Sequence, residues 1–202
     1  MNDYKYYLDY GIYDIQAGKF EDGIEKINKS LELKKDWEIP YFYRAVAYQA
    51  LENFDEAILD YTKALELNEK MTDAYYNRAK ILLSRKDIEN PDLNRAVSDL
   101  EKALLLDENF VNALYAMAAA QKKLENYEKA LEYLDRAIEL EPDFIHAKAL
   151  KKLILSKYIK QKRRTFYDND SSSITYEYGF MPAFWSALYR FFEEKNNRTI
   201  YS

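Results

Sequence analysis

Cysteine is absent from the 202 residues, which excludes disulfides and thiolate metal sites alike. Glycine and proline number four each, so the breakers that punctuate strands and loop-rich folds are scarce. One histidine, His146, and no glycine-rich phosphate loop leave little material for nucleophilic, metal-assisted or nucleotide chemistry. No run approaches the ~18 consecutive apolar residues of a membrane-crossing helix. The opening MNDYKYYLDYGIYDIQAGK lacks an apolar core, so no secretory signal is expected and a cytoplasmic location follows as the expectation. A net charge of −5 offers no cationic surface for a phosphate backbone, and nucleic acid is not an expected partner.

What remains is rich in helix formers, with 32% charged residues, 48% hydrophobic residues and twenty tyrosines. The stretch ENFDEAILDYTKALELNEKM at 52–71 is nearly restated as ENYEKALEYLDRAIELEPDF at 125–144, 73 residues later. No helix or strand period explains that separation, but a repeating tertiary unit does. Anchors of one bulky residue followed three places on by a small one fall at Phe20–Gly23, Phe54–Ala57, Leu93–Ala96 and Tyr127–Ala130. Their spacings are 34, 39 and 34, and the units tile as 4–37, 38–71, 72–110 and 111–144, the third with five extra residues.

Small residues recur in register: Gly11, Ala45, Ala79 and Ala118, then the anchor partners, then Ser30, Ala64, Ala103 and Ala137. They allow two antiparallel helices to approach closely. Bulky residues recur as Tyr7, Tyr41, Tyr75 and Leu114 and again as Leu33, Leu67, Leu106 and Leu140, where they are expected to fill the seam to the next unit. Short turns such as Leu51-Glu52-Asn53 and Leu124-Glu125-Asn126 divide each unit into two helices, the second amphipathic through Leu131, Leu134 and Ile138.

This pattern resembles the tetratricopeptide repeat (TPR) family over residues 4–144. The resemblance implies an all-α, right-handed solenoid of four helix pairs. The family's late proline survives only as Pro142, with Lys35, Glu69 and Glu108 in the other copies. Glycine and serine at the alanine places predict that the first unit is the least stable. Ile145 to about Arg163, with Ala149, Leu150, Leu153 and Ile154 on one side, reads as a capping helix that closes the array at residues 1–163. Residues 164–202 then form a polar linker and a tail.

In the family, first helices line a concave surface with their second, fifth, ninth and twelfth places. That register offers Lys5, Leu8, Ile12 and Ile15, then Ile39, Phe42, Val46 and Gln49. It continues with Asp73, Tyr76, Lys80 and Leu83, then Asn112, Tyr115, Ala119 and Lys122, while Tyr43 and Asn77 occupy the sixth place. The expected partner groove is therefore apolar at Leu8, Ile12, Ile15, Ile39, Phe42, Tyr43, Val46 and Tyr76, and more polar at Asn77, Lys80, Asn112 and Tyr115. For Ile12 and Tyr43, packing between helices is an equal alternative. Family members that grip a chaperone's terminal carboxylate use Lys and Asn, then Asn, then Lys and Arg. Here the matching places hold Leu8, Ile12, Tyr43, Asp73 and Asn77, or one unit later Phe42, Val46, Asn77, Asn112 and Ala116. That reading is rejected.

The tail segment ITYEYGFMPAFWSALYRFFEEKNN places Met181, Phe184, Trp185, Leu188, Phe191 and Phe192 at helical spacing, predicting an amphipathic helix over about 182–194. The five within that helix, Phe184, Trp185, Leu188, Phe191 and Phe192, represent roughly 8–15 kcal/mol of burial before ordering entropy. The expected partner of this face is the chain's own array or a second copy. The alternative is a membrane surface, helped by the basic run KYIKQKRR at 157–164. The inserted RKDIENPDLN, with Asp87, Glu89 and Asp92, reads as an elongated turn that extends the first helix rather than a cation site. Together these features predict a non-catalytic protein- or peptide-binding module with no cofactor or metal.

Overall fold

The computed structural model describes residues 3–84 and 90–169, without the side chains of residues 90, 91 and 163–169. All the described elements are α-helices: α1 Asp3–Gln16, α2 Phe20–Leu33, α3 Glu38–Ala50, α4 Phe54–Leu67, α5 Thr72–Ser84, α6 Asn90–Leu106, α7 Val111–Lys123, α8 Tyr127–Leu140 and α9 Ile145–Asn169. Helices begin at 38, 72 and 111, where the repeat units were expected to begin. The chain divides into two compact units, Met1–Ala120 and Gln121 onward, and α7 runs across the boundary.

The small residues explain the pairing. All twelve register places from Gly11 to Ala137 are buried. In the first pair the approach is close: a Cβ on Gly23 would lie 2.9 Å from the Gly11 carbonyl oxygen and 2.6 Å from Ile15 Cγ1. In the first unit α1 packs on α2, α3 on α4 and α5 on α6, while α2 and α4 pack on the helices that follow them. One core gathers Leu8, Ile15, Ile27, Leu31 and Ala47; another gathers Ala45, Ala57, Tyr61, Leu65, Ala74 and Ile81. In the second unit α8 packs on α9, with Leu131 against Leu155 and Ile159.

The turns inside the pairs share one geometry. Gly18, Glu52 and Glu125 hold equivalent places and adopt φ of 78°, 60° and 59°. At each, two crossed backbone bonds end the first helix: Lys19 N–H to Asp14 O and Gly18 N–H to Ile15 O, Asn53 to Tyr48 and Glu52 to Gln49, and Asn126 to Gln121 and Glu125 to Lys122. This left-handed closure suits glycine, yet two copies use glutamate. Between pairs, Asn68 and Asp107 each accept a bond from the backbone N–H two residues on, at 3.0 Å. These side-chain turns stand where Pro142 closes the fourth unit.

Several expectations need correction. Leu33, Leu67, Leu106 and Leu140 do not fill seams; they are 57%, 36%, 41% and 41% exposed. Each lies two residues past the inward stripe, turned about 200° from it on a 3.6-residue helix. The insertion does not lengthen α5, whose 13 residues match α3 and α7; it lengthens α6 to 17 residues against 14 in α2, α4 and α8. Asn90-Pro91 opens α6, where proline's missing N–H costs nothing. In α9 the inward residues are Ala147, Ile154, Leu155 and Ile159, while Ala149 and Leu153 are exposed. That helix also continues through Asn169, beyond the expected linker start at Arg164, since RTFYDN contains neither glycine nor proline.

Candidate functional site

Arginine bridges hold the first helices in place. Arg44 on α3 donates from Nε and Nη2 to the two Asp60 oxygens of α4, both at 2.7 Å, and from Nη1 to Asn28 Oδ1 of α2 at 2.6 Å. Thirty-four residues on, Arg78 repeats this with Asp99 at 2.8 and 2.6 Å and with Thr62 Oγ1 at 2.8 Å. Each guanidinium therefore joins its own pair and the second helix of the preceding one. In the first pair the charges are reversed, and Lys26 bonds Asp14.

On this frame the expected groove separates into three groups. Leu8 and Ile15 are core residues, 3% and 6% exposed, which corrects their assignment to the groove. Ile15 lies against Gly23, and Leu8 packs in the same core with Ile27, Leu31 and Ala47. Ile12, Ile39, Phe42, Tyr43, Val46 and Tyr76 are half-buried, the first five packed against the two cores on one side. Phe42 lies edge-on to Tyr43 and Tyr61, with centroids 5.4 and 5.8 Å away. Tyr76 meets Phe110 at 5.0 Å, Lys80 sits over its ring at 5.7 Å, and partial burial raises its phenol pKa. Asn77 is half-buried and its side chain bonds Tyr61, whose hydroxyl also donates to Gln49 Oε1 at 3.0 Å. Tyr115 is half-buried, while Lys80 and Asn112 are exposed. All of these residues belong to the first unit.

Residues 111–162 match the Fis1 C-terminal tetratricopeptide repeat and residues 40–71 match the tetratricopeptide repeat itself. The chain is a tetratricopeptide repeat protein. Human sperm-associated antigen 1 is 36% identical over 96 residues, which cover 48% of this chain and 10% of that protein. The chain thus spans a small part of that curated relative's length. MamA 41-end from Desulfovibrio magneticus RS-1 superposes with a TM-score of 0.66 at 18% identity, covering 85% of this chain and 98% of that one. The first TPR of Spaghetti (RPAP3), bound to HSP90 peptide SRMEEVD, superposes with a TM-score of 0.56 at 24% identity over 60% of this chain and 92% of that one. The fold is thus an all-α solenoid.

Two features of this tetratricopeptide repeat protein escaped sequence reasoning. Tyr6, Tyr10 and Tyr13 on α1 are 51%, 50% and 65% exposed at i, i+4, i+7 spacing, and the Tyr6 and Tyr10 rings meet at a 45° tilt with centroids 4.5 Å apart. Counting places aligns Tyr6 and Tyr13 with the buried Pro40, Ala47, Ala74 and Ile81 of later units, but their exposure is decided by tertiary structure. In the second unit a cleft of about 410 Å³ opens between the N-terminus of α8 and α9, lined by Asn126, Glu128, Tyr158 and Lys162 among others. It borders none of the expected groove residues.

Among the described residues no three acidic or histidine side chains gather as metal ligands. Asp87 and Glu89 lie outside the described residues, and Asp92 pairs with Arg95 at 3.4 Å. His146 lies edge-on to Phe144 at 6.2 Å. The predicted tail residues Met181, Phe184, Trp185, Leu188, Phe191 and Phe192 lie outside the described residues.

Proposed function

We propose that the protein is a non-catalytic interaction scaffold that receives an amphipathic helix or peptide along Ile12, Ile39, Phe42, Tyr43, Val46 and Tyr76. The observation that supports this reading is the half-burial of these side chains, the first five packed against the two cores and Tyr76 against Phe110. Aromatic anchors fixed in this way lose little rotamer freedom when a partner covers them. Binding is by helix in groove, with apolar contact providing affinity and Asn112, Lys80 and Tyr115 providing a polar edge. Residues 181–194 pack on the array or on a second copy and limit access to the groove.

The HSP90 peptide in the Spaghetti domain is acidic. In this chain one of the clamp places, Leu8, is buried, and the residues named for the groove include a single cation, Lys80, so an apolar partner is favoured over a carboxylate terminus. The membrane-surface alternative draws on residues 157–192, and co-sedimentation with anionic liposomes separates it from the scaffold reading.

Selection of displayed peptides on the full-length protein tests the proposal. Enriched sequences should carry apolar residues at i, i+3 or i+4, and i+7, and should lose about 30-fold in affinity with Phe42→Ala or Tyr76→Ala. Enrichment of acidic C-termini unaffected by either change would refute it.

A further inference from the structure

One hydroxyl lies in the core where the other repeats have none. The same place of each second helix holds Ile27, Tyr61, Leu100 and Leu134, and all four side chains are fully buried. An aliphatic residue therefore suffices for packing there, whereas a phenol adds an oxygen that is costly to bury unless it is hydrogen-bonded. Helix α4 packs on both α3 and α5, and the Tyr61 oxygen takes one partner from each. It donates to Gln49 Oε1 of α3 at 3.0 Å and also bonds the side chain of Asn77 on α5. Both amides are half-buried.

A phenol carries one proton, and here that proton goes to Gln49. The bond with Asn77 is therefore one that Tyr61 accepts from Asn77 Nδ2. One hydroxyl thus fixes two amides in opposite senses. Gln49 turns its oxygen to Tyr61 and keeps two N–H groups, while Asn77 turns its nitrogen there and keeps a carbonyl oxygen. Neither the Gln49 N–H groups nor the Asn77 oxygen has a partner among the described residues. Asp73, one turn before Asn77, is exposed, and its charge helps to raise the Tyr61 pKa, so a carboxylate stands near the pair.

We propose that Gln49 and Asn77 form a subsite of the groove that receives the side-chain amide of an asparagine or glutamine on the bound helix. The partner's carbonyl accepts from Gln49 Nε2, and its N–H donates to Asn77 Oδ1. This deepens the groove reading above, on which it rests, by naming a polar residue that the partner carries. Gln49 continues the Phe42 and Val46 stripe of α3 at i+7, and Asn77 follows Tyr76 on α5, so the subsite belongs with three of the expected groove residues.

Other groups complement the pair less well. An ammonium or guanidinium group has no acceptor to offer the Gln49 N–H. A carboxylate has no donor for the Asn77 oxygen and meets the charge of Asp73. A hydroxyl provides both functions through a single atom, whereas Gln49 and Asn77 stand on different helices. An aliphatic side chain leaves both groups unpaired on burial, which is costly. The backbone groups of a bound helix are already paired with each other, so the amide comes from a side chain.

Selection of displayed peptides on the full-length protein reads the subsite. Peptides that lose affinity with Phe42→Ala or Tyr76→Ala should carry Asn or Gln at one fixed position. Replacing that residue in a synthetic peptide by Leu, or by the matching acid, should weaken binding at least 10-fold. Gln49→Glu leaves only acceptors facing the partner, so the Lys or Arg version of the peptide should then bind more tightly than the amide. Tyr61→Phe keeps the ring but releases both amides, and should reduce the preference for Gln over Leu at least threefold. Peptides that depend on Phe42 and Tyr76 yet tolerate Leu, or prefer Ser, Glu or Lys, overturn the subsite and leave the groove standing. An undiminished preference in Tyr61→Phe refutes orientation by the hydroxyl. If no enriched peptide depends on Phe42 or Tyr76, the groove fails and the subsite with it.

Discussion

Arg44 clasps Asp60 through two parallel hydrogen bonds while its third nitrogen reaches Asn28, so one side chain ties three helices together. The two side chains are 20% and 8% exposed, and removal of one partner leaves the other poorly solvated. Asp60→Ala should therefore cost about 3 kcal/mol in urea unfolding. Repeat four carries Met117 and Tyr133 at the same places. Arg44→Met with Asp60→Tyr should recover more than half of that loss, and a double variant no better than Asp60→Ala would show that the charges themselves are required.

Gly23→Ala would normally gain helix propensity of up to about 1 kcal/mol. Here the added methyl meets the Gly11 carbonyl oxygen at 2.9 Å, backbone that cannot step aside alone. The expected result is a net destabilisation of about 1–2 kcal/mol, read as a lower thermal midpoint. A raised midpoint would mean that α1 and α2 separate easily.

Glu52 and Glu125 hold left-handed backbone that Gly18 adopts freely in the first repeat. Glu52→Gly and Glu125→Gly should each stabilise by up to about 1 kcal/mol, and Gly18→Ala should destabilise by a similar amount. Glu52→Ala serves as control and should give no gain. If alanine and glycine behave alike, side-chain contacts rather than backbone strain govern the turn.

Tyr61 is fully buried, and that burial raises its phenol pKa well above 10.0. The native state thus keeps a proton that the unfolded state releases near pH 10. Stability from this residue is fully present below about pH 10 and declines as pH rises beyond it. Tyr61→Phe should flatten that decline while costing about 1 kcal/mol at neutral pH through the lost bond to Gln49. An unchanged alkaline slope would assign the decline to other groups.

The repeat length was legible because close helix pairing demands a small side chain at fixed places, and twelve of them stand in register. Helix starts at 38, 72 and 111 follow from that register. The expected groove residues were sorted only in part. Periodicity put Leu8 and Ile15 on a concave stripe, but both are buried in the core with Ile27, Leu31 and Ala47, Ile15 directly against Gly23. The Arg44–Asp60 pair spans 16 residues and two helices, and no local spacing marks it. The exposure of Tyr6, Tyr10 and Tyr13 was hidden for another reason: tyrosine at helical spacing reads the same whether a preceding helix covers it or not.

Sequence alone determined the helix pairs, their length and their order, since steric need at a crossing writes itself as a repeated alanine or glycine. Tertiary structure decided which aromatic faces are filled and which are left open. That depends on the presence of a neighbouring helix, and a residue carries no local mark of what lies against it.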